Sequence, residues 1–339
     1  MARMRHHMCL DCRGGIQNAK SLIGCITTDD GYVLNTVKEI KNFLREELKQ
    51  GHKVIPCGDC NNFDYTTGCK GHNVTYIFSL SFGKDSMALL HKCMQEKRPI
   101  DRVICCDIRY SDEVSGEHPL MHKWIKEYAE NKVNQLLKEN GYECQVEWIT
   151  SKTNFLKQFY TIKQKGNHIG DNYGFPYVIG AWCNGRLKLD PINNYIKPFL
   201  KDGGVVIEYI GIAKDEPKRL KRYKELQTAN HEYVTLADFG VDEETAFQIC
   251  EENGLLCPKY ENSYRCGCWF CPKQSQGDLY QLWKDWPEYY EMLESIEKDS
   301  HNTFKPGETL KSIRERFENG YVPKIKLREK KQWKSFGNG

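Results

Sequence analysis

The residues best suited to chemistry lie in Ser79-Leu80-Ser81-Phe82-Gly83-Lys84-Asp85-Ser86 and in the cysteines on either side of it. The octet follows the apolar run Val74–Leu80 and opens a helical stretch. Small residues at such a junction let backbone N–H groups turn toward an anion. The helix N-terminus adds partial positive charge, and the hydroxyls and Lys84 add donors. Lys84 is followed by Asp85 and the glycine spacing differs from G-x-x-x-x-G-K-[ST], so this is not a Walker A loop. The alternative is an ordinary Ser/Gly turn.

The cysteines number 16. Toward the C-terminus, Cys257-x8-Cys266-x-Cys268-x2-Cys271 puts four thiols in 15 residues, a density that fits zinc or a 4Fe–4S cluster. Toward the N-terminus, Cys57-x2-Cys60-x8-Cys69-x2-His72 has the spacing of a Cys₃His structural zinc site. Cys9 and Cys12 could pair with Cys57 and Cys60 instead, and a reactive dithiol is the alternative to metal. Cys25, Cys93, Cys105, Cys106, Cys144 and Cys250 sit among apolar or helical neighbours and read as packing residues.

These groups need a scaffold. The 339 residues can bury a core without disulfides. Strands at Val74–Leu80, Arg102–Ile108, Glu143–Thr150 and Val205–Ile212 alternate with helices at Ser86–Lys97, His118–Asn140 and 183–200. That alternation implies βαβ units and an α/β fold on a parallel sheet. A helix over Asp242–Asn253, closed by Gly254, precedes the cysteine-dense loop, and two Trp/Tyr-rich helices follow it. Residues 1–73 read as a cysteine-rich region, 74–240 as the nucleotide-binding domain, and 241–339 as a helical region with a basic tail.

Lys and Arg total 49 against 46 Asp and Glu, so the net charge of +3 argues against a protein that coats nucleic acid. It leaves room for a local basic site: Lys214, Lys218, Arg219, Lys221, Arg222 and Lys224, and the tail from Lys324 to Lys334. No apolar run is long enough to span a membrane, and no apolar stretch of secretory length follows the basic N-terminus. The expectation is a cytoplasmic protein with reduced cysteines.

The octet resembles the PP-loop signature, S-x-G-K-D-S, of the ATP pyrophosphatase superfamily. Three later segments are similar to its phosphoadenosine-phosphosulfate (PAPS) reductase-like branch. They are Trp182-Cys183-Asn184-Gly185-Arg186-Leu187-Lys188 with Pro191, Gly211-Ile212-Ala213-Lys214-Asp215-Glu216 with Arg219, and Gly267-Cys268-Trp269-Phe270-Cys271-Pro272. The resemblance covers roughly residues 74–290 and implies a five-stranded parallel sheet of the adenine nucleotide α-hydrolase type. It also implies that Ser81, Gly83, Lys84, Asp85 and Ser86 hold the phosphates of ATP with Mg²⁺. Asp107 would lie near the ribose or a metal ion, and Lys188 and Arg219 would face phosphates or the transferred group. Cys183, Cys268, Cys271 and one of Cys257 or Cys266 would hold the C-terminal metal.

The implied reaction is adenylation of an acceptor with release of pyrophosphate, followed by sulfur transfer. Nucleic acid is one candidate acceptor, and a sulfur-donor protein is a candidate partner. Two departures stand out. Ala181 and Ala213 replace arginines common in the reductases, and the tail has no cysteine for sulfite release. Reduction of PAPS is therefore the alternative activity, and a non-catalytic nucleotide sensor or nucleic-acid-binding partner protein the alternative class.

Overall fold

The computed structural model describes residues 74–177, 179–228 and 230–325, together with Asn35, Thr36, Lys38, Glu39, Asn42 and the two short strands β1 (Phe63–Asp64) and β2 (Gly68–Cys69), which pair antiparallel. Cys57, Cys60 and His72 of the expected zinc set lie outside the described residues, as do Cys9, Cys12 and most of the basic tail. The elements then run β3 (Val74–Leu80), α1 (Lys84–Gln95), β4 (Arg102–Asp107), α2 (Pro119–Trp124), α3 (Glu130–Glu139), β5 (Val146–Thr150), α4 (Phe155–Phe159) and α5 (Trp182–Asn184). They continue α6 (Asp190–Ile196), β6 (Val205–Ile210), α7 (Pro217–Leu226), β7 (His231–Thr235), α8 (Glu243–Glu252), α9 (Gln276–Asp285), α10 (Pro287–Glu297) and α11 (Leu310–Glu318).

The five longer strands form a parallel sheet in the order β5-β4-β3-β6-β7, flanked by helices, so the fold is α/β. The inner strands β3 (VTYIFSL) and β6 (VVIEYI) are nearly continuous apolar runs because helices cover both faces of such a sheet. β7 was not legible as a strand. Its sequence, HEYVT, is short and half polar, which suits an edge strand where only Glu232 and Thr235 are buried.

One buried charge ties three strands together. Glu208 in β6 accepts a hydrogen bond from Ser79 Oγ of β3 at 2.5 Å and meets His231 Nε2 of β7 at 3.0 Å. These partners offset the cost of taking the carboxylate out of water.

The stretch 118–140 is not one regular helix. α2 and α3 are joined by a π-helical turn over Ile125–Ala129, and a second π-helical turn, Gly185–Leu189, joins α5 to α6. The inserted residue of a π turn does not change the apolar periodicity enough to be read from sequence.

The chain forms two compact units that interleave along the sequence. The first contains the described residues up to 106, then 125–149 and 190–256. It holds most of the sheet, with Ile77, Ile104, Ile192, Ile196 and Val206 in one core cluster. The second contains 107–124, 150–189 and the described chain from 257. Its core is aromatic: Tyr110, Phe155, Phe159, Phe175, Trp269 and Phe270 are all buried. The Trp269 Nε1 donates to Ser115 O at 2.8 Å, and Glu117 bridges antiparallel to Cys268. Gly116 makes that packing possible, since a Cβ there would collide with the Ile108 carbonyl oxygen and lie 2.9 Å from the Phe270 ring.

In the first unit, Asp101 caps the edge of β3 by accepting from Tyr76 N at 2.7 Å. Burial pushes its carboxyl up to about 6. An acid with a raised folded pKa binds an extra proton in the folded state, so its contribution favours folding at low pH and is lost as pH rises through about 6. Thermal midpoints of Asp101→Asn across pH 4 to about 7 should therefore fall less steeply than those of the wild type. Equal slopes would show that this burial carries no cost.

Candidate functional site

The loop is built by the end of β3 and the start of α1. Phe82 adopts a left-handed backbone, φ 54°, which costs a non-glycine residue about 1–2 kcal/mol. The strain is held by burial: the Phe82 ring is fully enclosed and stacks on Trp148 at 5.8 Å. Ser86 Oγ donates to Gly83 O at 3.0 Å, accepts from Ser81 N at 3.2 Å and lies 3.1 Å from Ser81 Oγ. Gly83 is the N-cap of α1 and no side chain caps it. The N-cap of this 12-residue helix thus supplies no side-chain acceptor, a place that an anion can take.

Lys84 is buried, 5% exposed. Its ammonium donates to Asp85 Oδ1 at 2.7 Å, lies 3.6 Å from Glu243 Oε2, and stands over the Phe247 ring at 5.1 Å. Cys250 Sγ donates to Lys84 O at 3.1 Å beneath the loop. Burial raises the Asp85 carboxyl; Lys84 opposes the shift, while Glu243 and Glu216 add to it. Glu216 in turn accepts both 2.7 Å and 2.6 Å bonds from Arg219 Nη1, and Asp215 accepts from Glu243 N at 3.0 Å. Ser81, Gly83, Lys84, Asp85, Ser86 and Arg219 are therefore gathered in the first unit, Arg219 through Glu216.

Glu216 and Glu243 did not emerge as site residues from sequence. Glu216 carried a signal through its motif. Glu243 carried none, because it reaches the loop by the packing of α8 against α1.

The end of β6 closes against the same loop. A Cβ on Gly211 would sit 2.6 Å from Ser86 N and 2.8 Å from Asp85 C, both backbone atoms. Gly211→Ala should displace the loop and lower the unfolding free energy by about 1–3 kcal/mol in denaturant titrations. Gly185→Ala, where a Cβ meets open space, is the control and should cost far less.

Asp107, Lys188 and the C-terminal cysteines lie in the second unit. Asp107 Oδ2 is 3.5 Å from Arg109 Nη1. Burial pushes the Glu117 carboxyl up to about 7, Lys188 opposes the shift, and Asp107 adds to it. Some of the Glu117 residue is exposed, but its carboxyl is enclosed, which is why burial dominates the shift. Glu117 was not legible as a site residue.

The five thiols fall into a pair and a trio. Cys266 donates to Cys257; that bond lowers the Cys257 pKa, whereas burial raises that of Cys266. Cys183, Cys268 and Cys271 influence one another, and burial raises Cys183 to about 11 and Cys268 well above its ordinary value. Lys305 Nζ holds the turn after Cys271 by donating to Pro272 O at 2.7 Å and to Gln274 O. The ten cysteines of residues 93–271 form no disulfide among the described residues. Among the described residues no three His, Cys, Asp or Glu side chains converge as a ready metal cage. By donor type the five sulfurs suit a thiophilic group, zinc or iron–sulfur. Asp85 and Glu243, which share Lys84, offer oxygen donors of the kind Mg²⁺ takes alongside phosphate and water.

No family model matches the sequence. The chain is 28% identical over 250 residues to an uncharacterized nin region protein of Escherichia phage lambda, covering 70% of this chain and 79% of that protein. It is 21% identical over 141 residues to an uncharacterized protein of Methanocaldococcus jannaschii, covering 40% of this chain and 29% of the archaeal one. No helix among the described residues is long and apolar enough to cross a membrane.

Proposed function

We propose that the protein is a PP-loop enzyme of the PAPS reductase-like branch, on an adenine nucleotide α-hydrolase fold, that adenylates an acceptor with ATP and supports sulfur transfer. The observation that carries this reading is the uncapped N-terminus of α1 behind a strained Ser/Gly turn, with Lys84 and Asp85 at its first positions. Backbone donors there would bind the triphosphate, and Lys84 would stabilise charge as it develops on the leaving pyrophosphate. An acceptor oxygen attacks the α-phosphorus, the bond to the pyrophosphate oxygen breaks, and the acceptor is adenylated. A sulfur nucleophile then attacks the activated carbon and AMP leaves with the acceptor oxygen.

Asp85 and Glu243 are the side chains that would hold Mg²⁺, which would supply neutralisation of phosphate charge. Cys183, Cys268, Cys271 and one of Cys257 or Cys266 would hold zinc or a 4Fe–4S cluster, and Cys57, Cys60, Cys69 and His72 a structural zinc. Release of pyrophosphate and AMP from ATP, screened across candidate acceptors including nucleic acid, tests the reading. ATP bound without turnover across that panel would instead support a nucleotide sensor. The clustered thiols favour one second reading, reduction of PAPS, which sulfite release with a thiol donor would reveal.

A further inference from the structure

The second unit carries a projecting hairpin that the adenylation reading does not use. Ile162 bridges antiparallel to Asn172. Tyr173 N donates to Thr161 O at 2.9 Å and Lys163 N to Asp171 O at 2.8 Å, and Gly170 N closes the tip onto Lys163 O at 3.1 Å. Left-handed Gly166, His168 and Gly170 shape that tip. The root is rigid: Phe159 and Phe175 pack edge to face at 5.2 Å in the aromatic core, and Asn302 Nδ2 donates to Phe175 O at 2.9 Å.

Two properties distinguish this excursion. Of the nine large hydrophobic side chains exposed among the described residues, five fall within it: Tyr160, Ile162, Ile169, Tyr177 and Ile179, the last 91% exposed. It is also basic: residues 160–179 carry Lys163 and Lys165 against the single acid Asp171, with Lys152 and Lys157 just before them. Lys157 pairs with Asp112, whereas Lys163 and Lys165 meet no carboxylate within ion-pair distance among the described residues.

The aromatic rings are held in place at their polar ends. Tyr160 OH donates to Asp299 Oδ2 at 2.7 Å, Tyr177 OH lies 3.2 Å from His301 Nε2, and His301 stacks on His168 at 4.6 Å. Both tyrosines nevertheless remain about half exposed, at 45% and 49%. Fixed, exposed rings beside unpaired lysines are the elements of a stacking platform with a phosphate track.

We propose that this hairpin and its flanking tyrosines bind single-stranded nucleic acid, with Lys163 and Lys165 on phosphates and Tyr160 and Tyr177 against bases. An acidic protein would satisfy the lysines with carboxylates, which do not stack on the rings. A duplex shows its bases only at groove edges, so it too leaves the rings idle. Single-stranded nucleic acid uses both features at once. The surface would supply the acceptor to the adenylation reading, and its test does not depend on ATP.

The test is fluorescence anisotropy of a short mixed-sequence labelled oligonucleotide with the full chain, at about 50 mM and about 200 mM salt. Single strands should bind and should weaken steeply with salt. The double variant Lys163→Glu/Lys165→Glu should weaken binding at least about tenfold, and Tyr177→Ala about fivefold or more. The lysine double variant should keep the wild-type melting midpoint, since Lys163 and Lys165 make no ion pair among the described residues; Tyr177→Ala loses its contact with His301, so its binding is read well below its own midpoint. Lys84→Ala should bind the oligonucleotide as the wild type does, so failure of the ATP site and failure of this surface are distinguished. The proposal is overturned by wild-type binding in the lysine double variant, by duplex bound as tightly as single strand, or by an acidic peptide of equal charge bound as tightly.

Discussion

Lys84→Ala should reduce ATP-dependent pyrophosphate release by about 10²–10³-fold, the usual cost of removing one preorganised donor from developing charge. The same substitution removes the cation shared by Asp85 and Glu243. Both carboxylates are about one-quarter exposed, which limits the penalty of leaving them unpaired to about 1–3 kcal/mol. Loss of activity could therefore be mistaken for partial unfolding. Asp85→Asn separates the two effects. Burial and the neighbouring Glu243 and Glu216 disfavour the charged form of Asp85, so neutralising it should leave the melting midpoint unchanged or raised. Its turnover should still fall at least about tenfold if the carboxylate serves Mg²⁺ and phosphate positioning. Pyrophosphate assays and thermal melts on both variants decide it, and full turnover in either would remove that residue from the site.

Substitution of the C-terminal thiols should have the second large effect. Anaerobically purified protein is expected to carry iron with acid-labile sulfide, or zinc, and Cys268→Ser and Cys271→Ser should each reduce that content to background. Both residues lie in the turn fixed by Lys305 and by Cys271 N donating to Cys268 O at 3.1 Å. Cys144→Ser, outside the cluster and hydrogen-bonded to Ile100 O at 3.6 Å, should retain the metal. Comparing Cys257→Ser with Cys266→Ser identifies the fourth ligand, because only one of that hydrogen-bonded pair is needed. Wild-type protein containing neither iron nor zinc would falsify the metal assignment.

Much of the scaffold was legible in the residues. The runs Val74–Leu80 and Val205–Ile210 announce buried parallel strands, since both faces of such a sheet are covered. Asp242 and Gly254 announce the ends of α8: the Asp242 side chain accepts from Thr245 N at 2.8 Å, and Gly254 is left-handed. Cys93, Cys105 and Cys250, read as packing residues, are buried. β7 and the π-helical turns were not legible, because an edge strand of five residues and one extra residue in a helix barely disturb periodicity.

Local sequence by itself determined the strand–turn–helix at Ser81–Ser86 and the proximity of Cys268 to Cys271, because each depends on neighbours within a few residues. Tertiary structure alone decided the rest. Packing of α8 brought Glu243 to Lys84, and pairing of β6 with β3 set Gly211 against Ser86 N. The bridge between Glu117 and Cys268 put a carboxyl with a pKa of about 7 beside the thiols. Which stretches share a core, and which side chains are left in water as Tyr177 and Ile179 are, depends on contacts between residues far apart in the chain. No pattern of neighbouring residue types encodes such contacts, since their free energy comes from surfaces that meet only after folding.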